Sequence, residues 1–252
     1  METTSDLDQL APRYRHVFAR MIVSEVTDFS ELLALVRAEQ AANPGTTVFL
    51  TLDDAGQAFY TSGHATASAE LEVPVDDLDF LADPAAEDAL QHRQFAHTSA
   101  QLARPDLQVP WADLRGTRES EPGELTVLAE RNEDPAGLLD DVVLLLHVPA
   151  ADPTAALAAL PNGYFSVDWN VFQNHAVTRR LAAGYGYRPL GIGASWLGFV
   201  RDEPLPPGDA GRLVGELAEI YGSPGAEGWG RLGKSVTERE TLFLGYTENY
   251  AE

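Results

Sequence analysis

The chain has 252 residues, no cysteine and a formal net charge of −22. The lack of cysteine excludes disulfides, thiolate metal sites and a cysteine nucleophile, and the acidity argues against binding of nucleic acid or anionic membranes. The first residues lack the pattern of a signal peptide, and the longest apolar run is too short to span a bilayer. We therefore expect a soluble, cytoplasmic protein.

Hydrophobic periodicity and turn residues predict strands and helices throughout the chain. The predicted strands are residues 47–52, 57–61, 70–75, 124–130, 141–148, 163–169, 188–193, 196–201 and 241–246. The predicted helices are residues 28–42, 84–103, 153–160, 172–183, 209–221 and 226–238. The apolar run at 141–148 is typical of a central, buried strand.

Local signals set several of these boundaries. Asp28 is a predicted N-cap with Glu31 as its capping-box partner. Pro84 is suited to the first turn of a helix, Gly184 to the end of one, and Asp209 to an N-cap. Two interpretations remain open for residues 5–21, which form either a short helix broken by Pro12 or a helix that leads into a strand over residues 17–26.

The order of these elements predicts an α+β (mixed α/β) fold with a sheet covered by helices. The first half contains a β-hairpin, formed by residues 47–52 and 57–61 around a turn at 53–56. In the second half strands and helices alternate. Residues 115–123 are loop-like and suggest a boundary between an N-terminal region, 1–114, and a C-terminal region, 124–252, although the chain also fits one domain.

Residues 161–201 form a cationic, aromatic stretch within this acidic chain. They contain four arginines and one carboxylate, a formal charge of +3, which leaves −25 for the remainder. His175 and Arg179 are one helical turn apart and could together receive an anion. Asp168 could orient His175, or it could cap the helix instead, as Asn170 or Asn174 could. The candidate ligand- or partner-binding residues are Asp168, Trp169, Asn170, His175, Arg179, Trp196 and Arg201. The alternative interpretation is that these residues are structural.

A second candidate is the segment 228–235, which matches the phosphate-loop pattern G-x-x-x-x-G-K-[ST]. In that pattern backbone amides hold the phosphates, the lysine neutralises them and the hydroxyl binds magnesium. The matching residues are Gly228, Gly233, Lys234 and Ser235. No buried strand precedes the segment, however, so the structural alternative is a helix that presents Trp229, Leu232 and Val236 to the core.

The remaining motifs do not predict a reaction. Ser195 lies in a glycine-rich run, but Leu197 stands where a nucleophile elbow requires glycine. The six histidines do not form a metal-binding motif, and the paired aspartates fall at turns. We therefore predict no catalytic residue, no metal and no cofactor.

Residues 161–252 resemble a bacterial domain family of unknown function. The resemblance lies in Pro161-Asn162-Gly163, Trp169-Asn170, Tyr185-Gly186-Tyr187 and the segment 210–221 with Leu213, Leu217 and Tyr221. It implies that residues 161–222 form one structural unit, and it implies no activity.

These observations favour a non-catalytic bacterial binding or interaction protein with an acidic surface. A specific form would be an immunity-type inhibitor that masks a basic protein, because the excess of carboxylates complements positive charge. The alternative is a nucleotide- or anion-binding protein, or an enzyme, that uses Lys234 and Ser235 or the set Asp168, His175 and Arg179. A structural domain with Trp169 and Trp196 buried in its core is a third possibility.

Overall fold

The structure is a computed structural model that describes residues 1–9, 15–83 and 85–252. Within these ranges, seven strands form one mixed sheet in the order β1-β2-β4-β3-β5-β6-β7. The strands are β1 (Glu2–Thr4), β2 (Ala19–Ser24), β3 (Thr47–Thr51), β4 (Val142–Val148), β5 (Arg188–Ile192), β6 (Trp196–Val200) and β7 (Thr241–Gly245). β3 and β5 are parallel, and the other neighbours are antiparallel. The predicted α+β class is confirmed.

Helices pack against this sheet. The α-helices are α1 (Phe29–Ala42), α2 (Ala55–Ala65), α3 (Ala86–Leu102), α4 (Pro122–Glu133), α5 (Val171–Tyr185), α6 (Pro207–Tyr221) and α7 (Glu227–Glu238). Short 3-10 segments lie at Leu7–Gln9, Pro105–Leu107, Trp111–Leu114, Pro135–Leu138 and Pro153–Ala159. The apolar side chains between helices and sheet form one continuous core.

Local signals correctly predicted much of this arrangement. The backbone N–H of Ser30 donates to Asp28 at 2.8 Å, which confirms Asp28 as the N-cap of α1. The run Val142–Val148 is the interior strand β4, between β2 and β3. The predicted helix at 84–103 is α3; Pro84 itself lies outside the described residues, as does Pro12. The strand alternative for 17–26 is confirmed by β2.

The predicted hairpin at 47–61 is wrong, because its second arm is a helix. β3 ends at Thr51, and Asp54 then caps α2 by accepting from the backbone N–H of Gln57 at 2.9 Å. The buried residues of α2 recur at helical spacing and include Ala55, Ala58 and Ala65. The segment 57–61 is too short to distinguish the hydrophobic period of a strand from that of a helix.

Three other predicted strands are also wrong. Residues 70–75 form turns and irregular chain beside α3. Residues 124–130 belong to α4, whose start is fixed by Pro122 in the first turn and by Glu124, which accepts from the backbone N–H of Glu121 at 2.6 Å. Residues 163–169 form turns, because Gly163 has a φ of +104° and turns the chain towards Trp169.

Two helix boundaries differ from the prediction. α5 continues past Gly184 and ends at Tyr185, and Gly186, with a φ of 71°, provides the left-handed C-cap. α6 begins after Pro206, so Asp209 lies in its first turn rather than at the N-cap, where its charge still complements the helix dipole.

Strands from both sides of residues 115–123 interleave in the sheet. β4, from the second half, lies between β2 and β3 of the first half, and β3 also pairs with β5. The predicted boundary therefore does not separate two sheets, and the division of the chain into one or two domains stays a prediction.

Helix α4 covers the edge strand β7. The side chain of Asn132 donates to the carbonyl of Phe243 at 2.8 Å and accepts from its backbone N–H at 2.8 Å. Asn132 thus satisfies backbone groups that a further strand would otherwise pair.

Candidate functional site

The carboxyl ends of the parallel strands β3 and β5 meet at one edge of the sheet. The chain leaves β3 through residues 52–54 into α2, and leaves β5 through the turn 193–195 into β6. Ligands of α/β sheets bind outside the carboxyl ends of parallel strands. This edge is therefore the first candidate for a functional site.

Asp53 joins the two loops at this edge. Its Oδ2 accepts from the backbone N–H of Ser195 at 2.8 Å, and its carbonyl accepts from the N–H of Ala194 at 3.0 Å. A Cβ at position 193 would lie 1.8 Å from Asp53 Oδ1, so the close approach requires Gly193. Burial raises the pKa of Asp53 to about 7, against the hydrogen bond from Ser195, which lowers it.

A buried network of polar side chains also binds the turn at 193–195. The Tyr246 hydroxyl lies 2.8 Å from the carbonyl oxygen of Gly193 and 2.7 Å from that of Ala194. Asn162 Nδ2 donates to the Gly193 carbonyl at 3.0 Å, and Thr61 Oγ1 donates to Asn162 Oδ1. These hydrogen bonds hold the turn between β5 and β6 in a single conformation.

Carboxylates occupy the N-terminus of α2. Asp54 has a φ of 32° and accepts from the N–H of Gln57 at 2.9 Å. Asp140 Oδ2 accepts from the N–H of Ala55, also at 2.9 Å. Phosphate-binding folds present such helix N-terminal amides to an anionic ligand. Here the protein's own carboxylates take those donors, so the edge favours a cation over a phosphate.

Exposed aromatic rings lie beside this edge. Tyr60 contacts His64, His64 contacts Tyr164, and Tyr164 contacts Phe165, with ring centroids 4.4, 5.0 and 5.4 Å apart. We call these four residues the aromatic ridge. Tyr60 is 59% exposed, and Tyr164 and Phe165 are about half exposed. Contiguous exposed apolar surface of this kind marks interaction sites.

Two clefts flank residues 163–168. The first cleft, of about 570 Å³, is lined by His64, Glu70, Tyr164 and Asn170. The second, of about 450 Å³, is lined by Thr61, Ser195, Tyr246 and Glu248. Gly163, Phe165, Ser166 and Asp168 line both clefts. Phe165 and Asp168 therefore stand at the division between them.

The carboxylates of the two clefts form no ion pair with the residues that the structure describes. Among the described residues, no arginine, lysine or histidine lies within ion-pair distance of Glu70, Asp168 or Glu248. Asp168 Oδ1 accepts from the backbone N–H of Glu248 at 3.1 Å. Burial raises the pKa of Asp168, although that hydrogen bond and the charge of Arg118 oppose the shift.

Two predicted neighbours of Asp168 have structural roles. Trp169 is 1% exposed and donates through Nε1 to Thr117 Oγ1 at 2.9 Å. Asn170 is the N-cap of α5 and accepts from the N–H groups of Phe172 and Gln173 at 3.0 and 3.1 Å. Asn170 also lines the first cleft.

The structure brings His175 and Arg179 together but gives Asp168 and His175 different partners. Asp168 interacts with Glu248, whereas His175 is buried, with Nε2 3.3 Å from Thr154 Oγ1. Burial, followed by the charge of Arg179, lowers the pKa of His175 to about 4. The imidazole is therefore neutral at pH 7 and a weak receiver for an anion.

The other two candidates from the cationic stretch lie away from the clefts. Trp196 is 4% exposed and packs edge-on against Tyr250. The Arg201 guanidinium lies over the ring of Tyr187, 5.7 Å from its centroid, and its Nε and Nη1 lack hydrogen-bond partners among the described residues. Trp169 and Trp196 are thus both core residues.

The segment 228–235 is part of a helix rather than a phosphate loop. It lies within α7, where Trp229, Leu232 and Val236 are buried, as the structural alternative predicted. Ser235 Oγ donates to the carbonyl of Asn132 at 2.8 Å, and Lys234 is exposed beside Glu238. A Cβ at Gly228 would lie 2.3 Å from the Leu125 carbonyl, so this glycine allows close packing of α7 on α4.

Sequence reasoning missed the aromatic ridge because residues 163–169 were predicted to form a strand. The usable signal was the pair Tyr164-Phe165 directly after the turn residues Asn162 and Gly163. The described ranges contain no group of three His, Asp or Glu side chains placed to hold a metal ion. Nor do these ranges include a helix with the length and apolar character to cross a membrane.

No family model, curated protein or solved structure matches the chain. The resemblance of residues 161–252 to a bacterial domain family stays a prediction.

Proposed function

We propose that this protein is a non-catalytic binding protein that recognises a basic protein partner through the aromatic ridge. The observation that carries the proposal is the row of four exposed, contacting rings beside carboxylates that form no ion pair among the described residues. Aromatic faces attract arginine and lysine, and carboxylates add charge-assisted hydrogen bonds. An immunity-type inhibitor is the specific form that we favour, and the lack of cysteine suits a reducing cytoplasm.

The charge of the whole chain supports a basic partner over an anionic ligand. A net charge of −22 accelerates encounter with a cationic protein and repels phosphates. The carboxylates at the start of α2 act locally in the same direction, because they occupy the amides that an anion would need. The groups at this edge of the sheet therefore do not favour nucleotide binding.

The first test measures binding of a fluorescent hexa-arginine peptide to the wild type and to the double variant Tyr164→Ala/Phe165→Ala. We expect the double variant to bind about tenfold more weakly, because it loses two cation–π contacts of about 0.5–2 kcal/mol each. The matched control is Phe80→Ala/Leu81→Ala, which removes two other exposed apolar side chains within an acidic segment.

Both double variants keep the net charge of the protein, so non-specific attraction to the peptide is the same in each. The control is expected to bind like the wild type. Equal affinity of all three proteins would show that the ridge does not recognise the peptide and would overturn the proposal.

A further inference from the structure

We infer that the two clefts each receive one cationic side chain, so that the protein recognises two basic residues separated by one residue in an extended segment of its partner. This inference rests on the proposed function. It deepens that function by assigning a sequence pattern to the partner.

The division of the site by Phe165 carries the inference. The ring lines both clefts, is about half exposed, and contacts Tyr164 on the side of the first cleft. Two cationic side chains, one in each cleft, would each lie beside this aromatic ring, which attracts a guanidinium.

Each cleft has its own exposed carboxylate in addition to the shared one. Glu70 lines the first cleft, Glu248 lines the second, and Asp168 lies in the lining of both. A cation in the first cleft would thus lie near Glu70 and Asp168, and a cation in the second cleft would lie near Glu248 and Asp168. This arrangement matches two positive charges better than one.

Helix α2 provides the spacing between the clefts. Gln57 and Thr61 line the second cleft, and His64 and Ala65 line the first. The nearest lining residues, Thr61 and His64 or Ala65, are therefore separated by about 4.5–6 Å of helical rise. In an extended peptide, side chains at i and i+2 lie on the same face and are about 6.8 Å apart. Side chains at i and i+1 point to opposite faces. The spacing therefore favours a pattern of two arginines or lysines with one residue between them.

The test uses three capped glycine-serine peptides of equal length, each with two arginines, placed at i and i+1, at i and i+2, or at i and i+6. Because the three peptides carry the same charge, non-specific attraction to this acidic protein is equal for all of them. By titration calorimetry we expect the i, i+2 peptide to bind about tenfold more tightly than the other two, since it alone seats a second cation.

Charge-matched variants locate the two cations. Glu70→Gln and Glu248→Gln are each expected to abolish most of the preference for i, i+2, because each weakens one cleft. Glu203→Gln removes an exposed carboxylate that does not line either cleft and should keep the preference. Phe165→Ala merges the clefts and should remove the preference.

The outcomes separate this inference from the proposed function. If the three peptides bind equally well and Tyr164→Ala/Phe165→Ala still weakens hexa-arginine binding, the paired recognition is wrong and the proposed function survives. If the ridge variants do not affect binding of any peptide, both are wrong. A preference for i, i+2 that persists in both Glu70→Gln and Glu248→Gln would also overturn the assignment of one cation to each cleft.

Discussion

At the scale of single residues, Asp53 links the fold to the candidate site. Its carboxylate holds the turn at 193–195, and that turn forms one wall of the second cleft through Ser195. Oδ1 is buried without a hydrogen-bond partner among the described residues. The ionised form of Asp53 is therefore poorly solvated, which is why its pKa is raised to about 7.

This shift predicts a loss of stability as the pH rises. A carboxyl whose pKa is higher in the folded state than in the unfolded state binds its proton more tightly when folded. Its contribution to the free energy of unfolding is therefore greatest below the unfolded value of 3.8 and decreases as the pH rises to about 7. We expect Asp53→Asn to gain stability relative to the wild type between these pH values, by at most about 4 kcal/mol. Denaturant unfolding across this range measures the difference.

Two histidines complicate the absolute pH profile but not this comparison. Burial lowers the pKa of His16 and His175 to about 4, so their contributions are lost as the pH falls from 6.5 to that value. Both residues are present in each protein, so their effects cancel in the difference. Glu203→Gln, which removes an exposed carboxylate, is the control and should follow the wild type. A constant difference between Asp53→Asn and the wild type would show that Asp53 does not titrate in this range.

At the scale of elements, the closing of the sheet edge depends on one side chain of α4. The buried side-chain amide of Asn132 binds the backbone N–H and C=O of Phe243 in β7. The backbone carbonyl of Asn132 accepts from the hydroxyl of Ser235 in α7. Asn132 therefore joins a helix, an edge strand and a second helix. Because Gly228 of α7 has no side chain, α7 can approach Leu125 of α4 closely enough for this arrangement.

We expect Asn132→Ala to destabilise the protein by about 2–4 kcal/mol, because the backbone N–H and C=O of Phe243 lose their buried partner. For a chain of this length that corresponds to a decrease in Tm of roughly 4–16 °C. Glu130→Ala, at an exposed position of the same helix, should leave Tm nearly unchanged. Thermal unfolding followed by circular dichroism compares the variants, and equal Tm values would show that water replaces the side chain at this edge.

At the scale of the whole molecule, we expect the charge of −22 to affect folding and the proposed binding in opposite ways. Repulsion among carboxylates opposes the compact state, whereas attraction to a basic partner would favour the proposed complex. Dissolved salt screens both interactions. The cationic stretch 161–201 does not alter this balance greatly, because Arg180 and Arg188 within it pair with Glu216 and Asp202.

Salt is therefore expected to stabilise the free protein and to weaken its complex with hexa-arginine. Between about 0.02 M and about 0.5 M sodium chloride, Tm should rise while the affinity falls, since the Debye length shrinks from about 20 Å to about 4 Å. Thermal unfolding and fluorescence titration over the same salt series test both signs. Binding that is insensitive to salt would exclude charge as a main source of affinity.

The sequence alone determined the elements whose signals are local. The cap at Asp28, the apolar run Val142–Val148 and the amphipathic segment of α7 each specify their structure within a few neighbouring residues. The errors at 57–61 and 124–130 arose where a short window fits both the helical and the strand period. In both cases a capping interaction, at Asp54 and at Glu121, favoured the helix.

Only the tertiary structure decided where the candidate site lies. The aromatic ridge depends on contacts between residues far apart in the chain, such as the N–H of Trp169 with the carbonyl of Tyr246, and the ring of His64 with that of Tyr164. The carboxyl edge itself exists because β5 pairs in parallel with β3 after a long crossover. Strand order and side-chain burial are properties of the packed chain, and no local periodicity encodes them. The acidity that predicts a basic partner is a property of composition, whereas the position that would bind the partner is a property of the fold.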